Sequence, residues 1–286
     1  METDAAIPEA LLPPGFARHL DRPPAQVAVA RPAATIALLR SGAHGDGLEV
    51  LLLQRIRSAG FVPGAWVFPG GRVDEGDAAA PLVKRLCGLG AHAAAERLGL
   101  ERNARPPALA YYVAAIREAF EETGILVGHG PEGRTPGFAA RDAEVQALRH
   151  GLMAEPETFA DVLDCMGSRM DGAAVAYVAH WITPEAEPRR FDTRFFAAVV
   201  PEDAEPLPDE REASHALWLT PEDALARNRA GHLPMVFPTI HTLRALLEFE
   251  GPAAAVGAFR DRPIPTILPR LVRTGAGVGI EVDAEG

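Results

Sequence analysis

The chain has 286 residues, 48% of them apolar, with a net charge of -11 and a pI near 5.3. That apolar share is ample for a core, and the acidic balance argues against a general grip on DNA or RNA, which needs a basic footprint. No uninterrupted apolar run is long enough to cross a bilayer, so no membrane association is expected.

Residues 1–31 hold Pro13-Pro14 and Pro23-Pro24 and read as an irregular arm. Met1-Glu2-Thr3-Asp4 lacks the positive flank and apolar stretch of a secretory signal, and Asp283-Ala284-Glu285-Gly286 carries no peroxisomal tripeptide. A cytoplasmic protein is therefore expected, with Cys87 and Cys165 as two buried, reduced thiols. Ala33–Leu39 and Leu48–Leu53 are short apolar runs around a Gly-rich loop and read as a β-hairpin. Ala65–Phe68 predicts a further strand running into Pro69-Gly70-Gly71, which reads as a loop with exposed backbone carbonyls. Leucines near helical spacing predict a helix over 81–100, ending at Gly99. Leu109–Thr123 predicts a second helix with Val113, Ile116 and Phe120 on its buried stripe and Gly124 as its stop.

Residues 128–140 form a Gly/Pro-rich loop, followed by amphipathic helices at about 141–152 and 156–167. Ala173–Thr183, Phe195–Val200 and Ala216–Leu219 have strand character. Thr220-Pro221-Glu222-Asp223 reads as a helix start, an N-cap followed by proline and early acids. Another helix is expected over Thr239–Phe249, and the Pro/Gly-rich tail from 261 is expected to pack loosely or add an edge strand. With no repeat and no interdomain linker, the reading is one α/β domain over 32–250. It carries an insertion at about 78–108 and a helical segment at about 141–167, with a tail at 251–286.

The chemistry concentrates in Arg117-Glu118-Ala119-Phe120-Glu121-Glu122-Thr123-Gly124-Ile125. Glu118, Glu121 and Glu122 stand at i, i+3 and i+4, on one helical face, where like charges repel. Such a face is either an exposed acidic surface or a cluster of hard oxygen ligands for Mg2+ or Mn2+. Upstream lies the turn Phe68-Pro69-Gly70-Gly71-Arg72-Val73-Asp74-Glu75-Gly76-Asp77.

These two pieces resemble the Nudix box. Ala119 fills the aliphatic slot, Asp77 stands where the family usually has Glu, and 39 residues separate Asp77 from Arg117 where the family has a spacer of seven. Interrupted boxes occur in a branch that includes peroxisomal coenzyme A diphosphatases. Two further stretches are similar to that branch: Arg55 through Gly71, and Arg190-Phe191-Asp192-Thr193-Arg194-Phe195-Phe196. The resemblance covers roughly residues 33–250. It implies a Nudix-type α/β/α sandwich with a mixed sheet and helical insertions.

By that resemblance Glu118, Glu121 and Glu122 are the catalytic and metal-ligand candidates, with Glu118 alternatively orienting or deprotonating the attacking water. The carbonyl of Gly70 or Gly71 is a further candidate, as is a distal acid, Glu210 or Glu212, with Glu212 favoured by its spacing to Trp218. Arg117 and Asp77 are expected to brace the loop against the helix, although Arg117–Glu121 is also an ordinary i,i+4 ion pair. Arg55 and Arg57 alternate with Ile56 at a strand end, so both are candidates for gripping substrate phosphates, and Phe61 for lining the pocket.

The implied activity is hydrolysis of a nucleoside diphosphate-linked small molecule, with coenzyme A or acyl-coenzyme A as the first substrate. A broad dinucleotide or nucleotide-sugar pyrophosphatase is the alternative. A non-catalytic ligand-sensing domain is the competing class; such domains usually lose box acids, which here remain. Oligomeric state is left open, a homodimer included.

Overall fold

Apolar residues at nearly every position of 33–39 and 48–53 require that both faces of their strands be covered, because a half-exposed strand would alternate. In the computed structural model they form the centre of a two-faced sheet. It describes residues 26–42, 47–57, 62–130, 143–154, 158–209, 211–274 and 277–282. Most of the N-terminal arm, Phe61 and Glu210 lie outside the described residues. Strand β1 (Arg31–Ser41) pairs antiparallel with β2 (Leu48–Arg55), Leu39 opposite Val50. The short β3 (Trp66–Val67) joins β2, and β4 (Gly70–Arg72) joins β1.

Three further strands flank this hairpin: β8 (Val175–Ile182), β9 (Phe191–Val199) and β10 (Ala213–Leu219). Together with β11 (Thr266–Ile267) they give the order β10-β2-β1-β9-β8-β11. The β1–β9 and β8–β11 pairs are parallel and the others antiparallel, so the sheet is mixed.

Ile36, Leu38 and Leu51 face one core, and Ala37, Leu39 and Leu52 the other. The first core is closed by α1 (Ala80–Val83), α2 (Ala91–Leu98), α3 (Ala108–Thr123), α4 (Ala143–Ala154) and α5 (Phe159–Cys165). The second is closed by α6 (Pro221–Arg229), α7 (Phe237–Leu246) and α8 (Pro252–Asp261). The molecule is thus the expected α/β/α sandwich. Helix α3 is buried on nearly every side, and Ala110, Ala114, Ala115 and Ala119 let it lie close to the sheet. Gly124 ends it in the left-handed conformation (φ 75°), its N–H returning to Phe120 O.

Several expectations need correction. Gly70 and Gly71 are strand, not loop: they pair with Thr35 and Ala34, and a Cβ on Gly70 would meet the Thr35 Cα at 2.7 Å. The helix expected over 81–100 is split into α1 and α2 by the strand β5 (Leu86–Cys87). That strand joins β7 (Arg169–Asp171) and β6 (Gly128–His129) in a small separate sheet, so the two insertions pack together. Arg85 at its edge pairs with Asp164 of α5. The segment read as a tail from 251 instead begins with α8, whose Ala255, Val256 and Phe259 are buried in the second core, while the edge strand expected beyond 261 is present as β11. It continues into a hairpin of β12 (Arg270–Thr274) and β13 (Gly277–Glu281). Both thiols are free as expected, but Cys87 is half-buried and Cys165 exposed rather than buried. No helix among the described residues is long and apolar enough to cross a membrane.

Candidate active site

The glycine strand and the acidic helix, with 46 residues intervening between Gly71 and Glu118, meet in space. Gly70 N–H donates to Glu122 Oε2 at 3.2 Å. A Cβ on Gly71 would sit 2.5 Å from Glu118 Oε1, so only glycine leaves that carboxylate its place. Residues 78–108 loop out from this junction without separating its halves.

Arg117 is the centre of the junction. Its Nε and Nη2 donate to the two oxygens of Asp77 at 2.8 and 3.1 Å, and Nη2 also reaches Arg72 O. Nη1 donates to Glu118 and Glu121, each at 2.9 Å. Asp77 is only 1% exposed and accepts the Asp74 N–H in a capping box at the start of a 3-10 turn, Glu75–Ala78. That turn brings the backbone close enough for the shorter Asp side chain to grip Arg117 with both oxygens. Burial works against the Arg117 charge, but the bonds to Asp77 and the charges of Glu118 and Glu121 raise its pKa.

One arginine does not neutralise the acids around it. Burial pushes the Glu118 carboxyl up to about 7 against the opposing pull of Arg117. Burial likewise raises Glu121. Glu122 is raised well above the carboxylate range by burial and then by the charges of Glu118 and Glu212. The Gly70 N–H and the Arg55 charge oppose that shift. The Glu212 charge adds to the upward shift of all three acids, from a turn where Ile56 N–H donates to Glu212 O.

Among the described residues, no three His, Cys, Asp or Glu side chains converge closely enough, as they stand, to enclose an ion. Glu118 and Glu121 are turned onto Arg117, and Glu122 onto Gly70. The donor set nevertheless suits a hard divalent cation. Its ligands are carboxylate oxygens, Gly71 has no side chain to displace the Glu118 carboxylate, and burial raises the acids despite the charges of Arg117 and Arg55.

The structure brings Arg117, Asp77, Glu118, Glu121, Glu122, Gly70, Gly71, Glu212 and Arg55 together. Arg57 differs from expectation. Strand β2 ends at Arg55, so the alternation does not continue, and Arg57 lies exposed in the following turn.

Sequence reasoning missed Arg149. Its guanidinium is 2% exposed and donates to Glu121 O at 2.6 Å and to Leu207 O at 2.7 Å. A signal was present: Val145, Leu148 and Leu152 mark the apolar stripe of α4, and Arg149 falls on that stripe.

Comparison with known proteins gives a consistent result. A sequence model of the NUDT19 Nudix domain matches residues 24–246. The acyl-coenzyme A diphosphatase NUDT19 of Gallus gallus is 30% identical over 233 residues, covering 70% of this chain and 61% of that protein. Its Homo sapiens counterpart is 28% identical over 235 residues, covering 71% and 62%. The chain thus spans about three fifths of the length of these relatives. The crystal structure of a NUDIX hydrolase from Alicyclobacillus acidocaldarius superposes with a TM-score of 0.66 at 30% identity, over 83% of this chain and 100% of that one.

Proposed function

The chain belongs to the NUDT19 Nudix domain family, and on that premise we propose that it is a divalent-metal-dependent hydrolase of the diphosphate in coenzyme A or an acyl-coenzyme A. Its products are 3',5'-ADP and 4'-phosphopantetheine or the acyl form. The observation that carries the proposal is the contact of the Gly70-Gly71 strand with Glu118 and Glu122 across the insertion. It brings Glu118, Glu121 and Glu122 together beside Arg117. A ligand-sensing domain has no need to keep that repulsion. The substrate class rests on the name of the NUDT19 relatives.

Glu122, Glu121, Glu118 and Glu212 would hold Mg2+ or Mn2+, with the Gly71 carbonyl as a further oxygen. When bound, such an ion supplies neutralisation of the diphosphate and a more acidic water for in-line attack on phosphorus. Arg117 and Asp77 keep the strand and helix in register. In the alternative assignment Glu118 does not ligate the ion but orients or deprotonates the water. The proposed setting is cytoplasmic.

The testing experiment is a hydrolysis panel with Mg2+ or Mn2+, products identified by mass: coenzyme A, acyl-coenzyme A, NADH, ADP-ribose and diadenosine polyphosphates. The expected result is highest kcat/KM on coenzyme A or its acyl form. Preference for a dinucleotide lacking the 3'-phosphate would overturn the substrate assignment, and no turnover of any would overturn the enzyme.

The arginines supply a finer test. Arg57, exposed in the turn after β2, is proposed to contact a substrate phosphate, whereas the charge of Arg55 acts on Glu122. Losing one charged hydrogen bond costs about 1.5–3 kcal/mol. Arg57→Ala should lose that much transition-state stabilisation on coenzyme A. An equal loss on dephospho-coenzyme A would place Arg57 at the diphosphate, and a loss confined to coenzyme A would place it at the 3'-phosphate. Unchanged kcat/KM on both would remove Arg57 from the site.

A further inference from the structure

The loop that carries Glu212 is joined to the box helix in part through a residue far from the box. The loop leading to β10 is fastened to the C-terminal end of α3 by Leu207 N–H to Thr123 O at 2.9 Å and Asp209 N–H to Glu122 O at 3.1 Å. Arg149 completes this joint from beneath, bridging Glu121 O of the helix to Leu207 O of the loop. From there the chain runs through Glu212 N–H to Asp209 O, and Ile56 N–H caps Glu212 O. Each of these bonds ties the backbone on either side of the acids.

The guanidinium is costly where it sits. Its Nη2 is buried without a hydrogen-bond partner among the described residues, and burial lowers its pKa against the charges of Asp209 and Glu122. An apolar residue would fill the stripe of α4 without that cost. What only an arginine supplies there is a fork that holds two carbonyls from two segments at once.

We propose that Arg149 is a positioning residue that fixes Glu212 opposite Glu118, Glu121 and Glu122 and so sets the affinity of the site for a divalent cation. This rests on the reading of those acids as the metal site. Arg149 touches neither substrate nor ion; it acts through the loop it clamps to the helix end.

Mn2+ binding, read by electron paramagnetic resonance without substrate, tests this on the wild type, Glu212→Gln, Arg149→Lys and the double variant. Near-UV circular dichroism checks the fold of each. Lysine keeps the charge but carries its donors on one nitrogen, and so lacks the planar fork whose Nε and Nη1 reach the two carbonyls separately. Each single substitution should weaken Mn2+ binding about 10–100-fold, the range for groups that orient ligands. Because both act through one acid, the double variant should bind no more weakly than the weaker single. Wild-type affinity in Arg149→Lys or in Glu212→Gln, or losses that multiply in the double variant, would overturn the inference. A wild type that binds no Mn2+ would instead overturn the metal site on which it rests.

Discussion

Glu122→Gln is expected to lower hydrolysis by more than about a hundredfold at saturating Mg2+, because even groups that merely orient metal ligands cost 10–100-fold. The fold should survive the change. Glutamine keeps an oxygen for the Gly70 N–H at its present position. It also removes a charge that burial and the neighbouring acids already disfavour. The thermal midpoint of the metal-free variant should therefore stay level or rise while turnover collapses. A loss of both together would mark Glu122 as structural. Near-normal turnover would show that this helix face is not the metal site.

Arg117→Met should have the largest effect on stability. It leaves Asp77, at 1% exposure, with no cation, and breaks the joint between β4 and α3. Removing one partner of a buried pair costs about 3–5 kcal/mol. Urea denaturation of the metal-free protein should show a loss of that order. Adding Asp77→Asn to Arg117→Met should recover part of it, since the stranded charge is gone. An unchanged midpoint in Arg117→Met would mean that the brace contributes nothing.

The box helix was legible because its signal is local. The i, i+3, i+4 acids, the apolar stripe and Gly124 fall within one segment, and the structure places α3 over Ala108–Thr123. The halves could be matched across the insertion because the residue types at each end are specific. Strand β4 was not legible, since glycine carries no strand preference and Gly70–Arg72 is strand only through β1 beside it. The split of 81–100 depended likewise on β7, some eighty residues downstream. Helix α8 had a readable pattern in Pro252, Ala255, Val256 and Phe259, masked by the proline and glycine that follow. Arg149 is the most instructive omission. Its partners lie 28 and 58 residues away, and the only sign of its place was a charge on an apolar stripe.

The central claim is that water attacks phosphorus in the diphosphate of the substrate. Hydrolysis of acetyl-coenzyme A with Mg2+ in 18O-labelled water, followed by mass spectrometry, tests it most directly. The expected products are 3',5'-ADP and acetyl-4'-phosphopantetheine, with one solvent oxygen in a phosphate of one product and the thioester intact. Solvent oxygen in released acetate, with coenzyme A left whole, would contradict it.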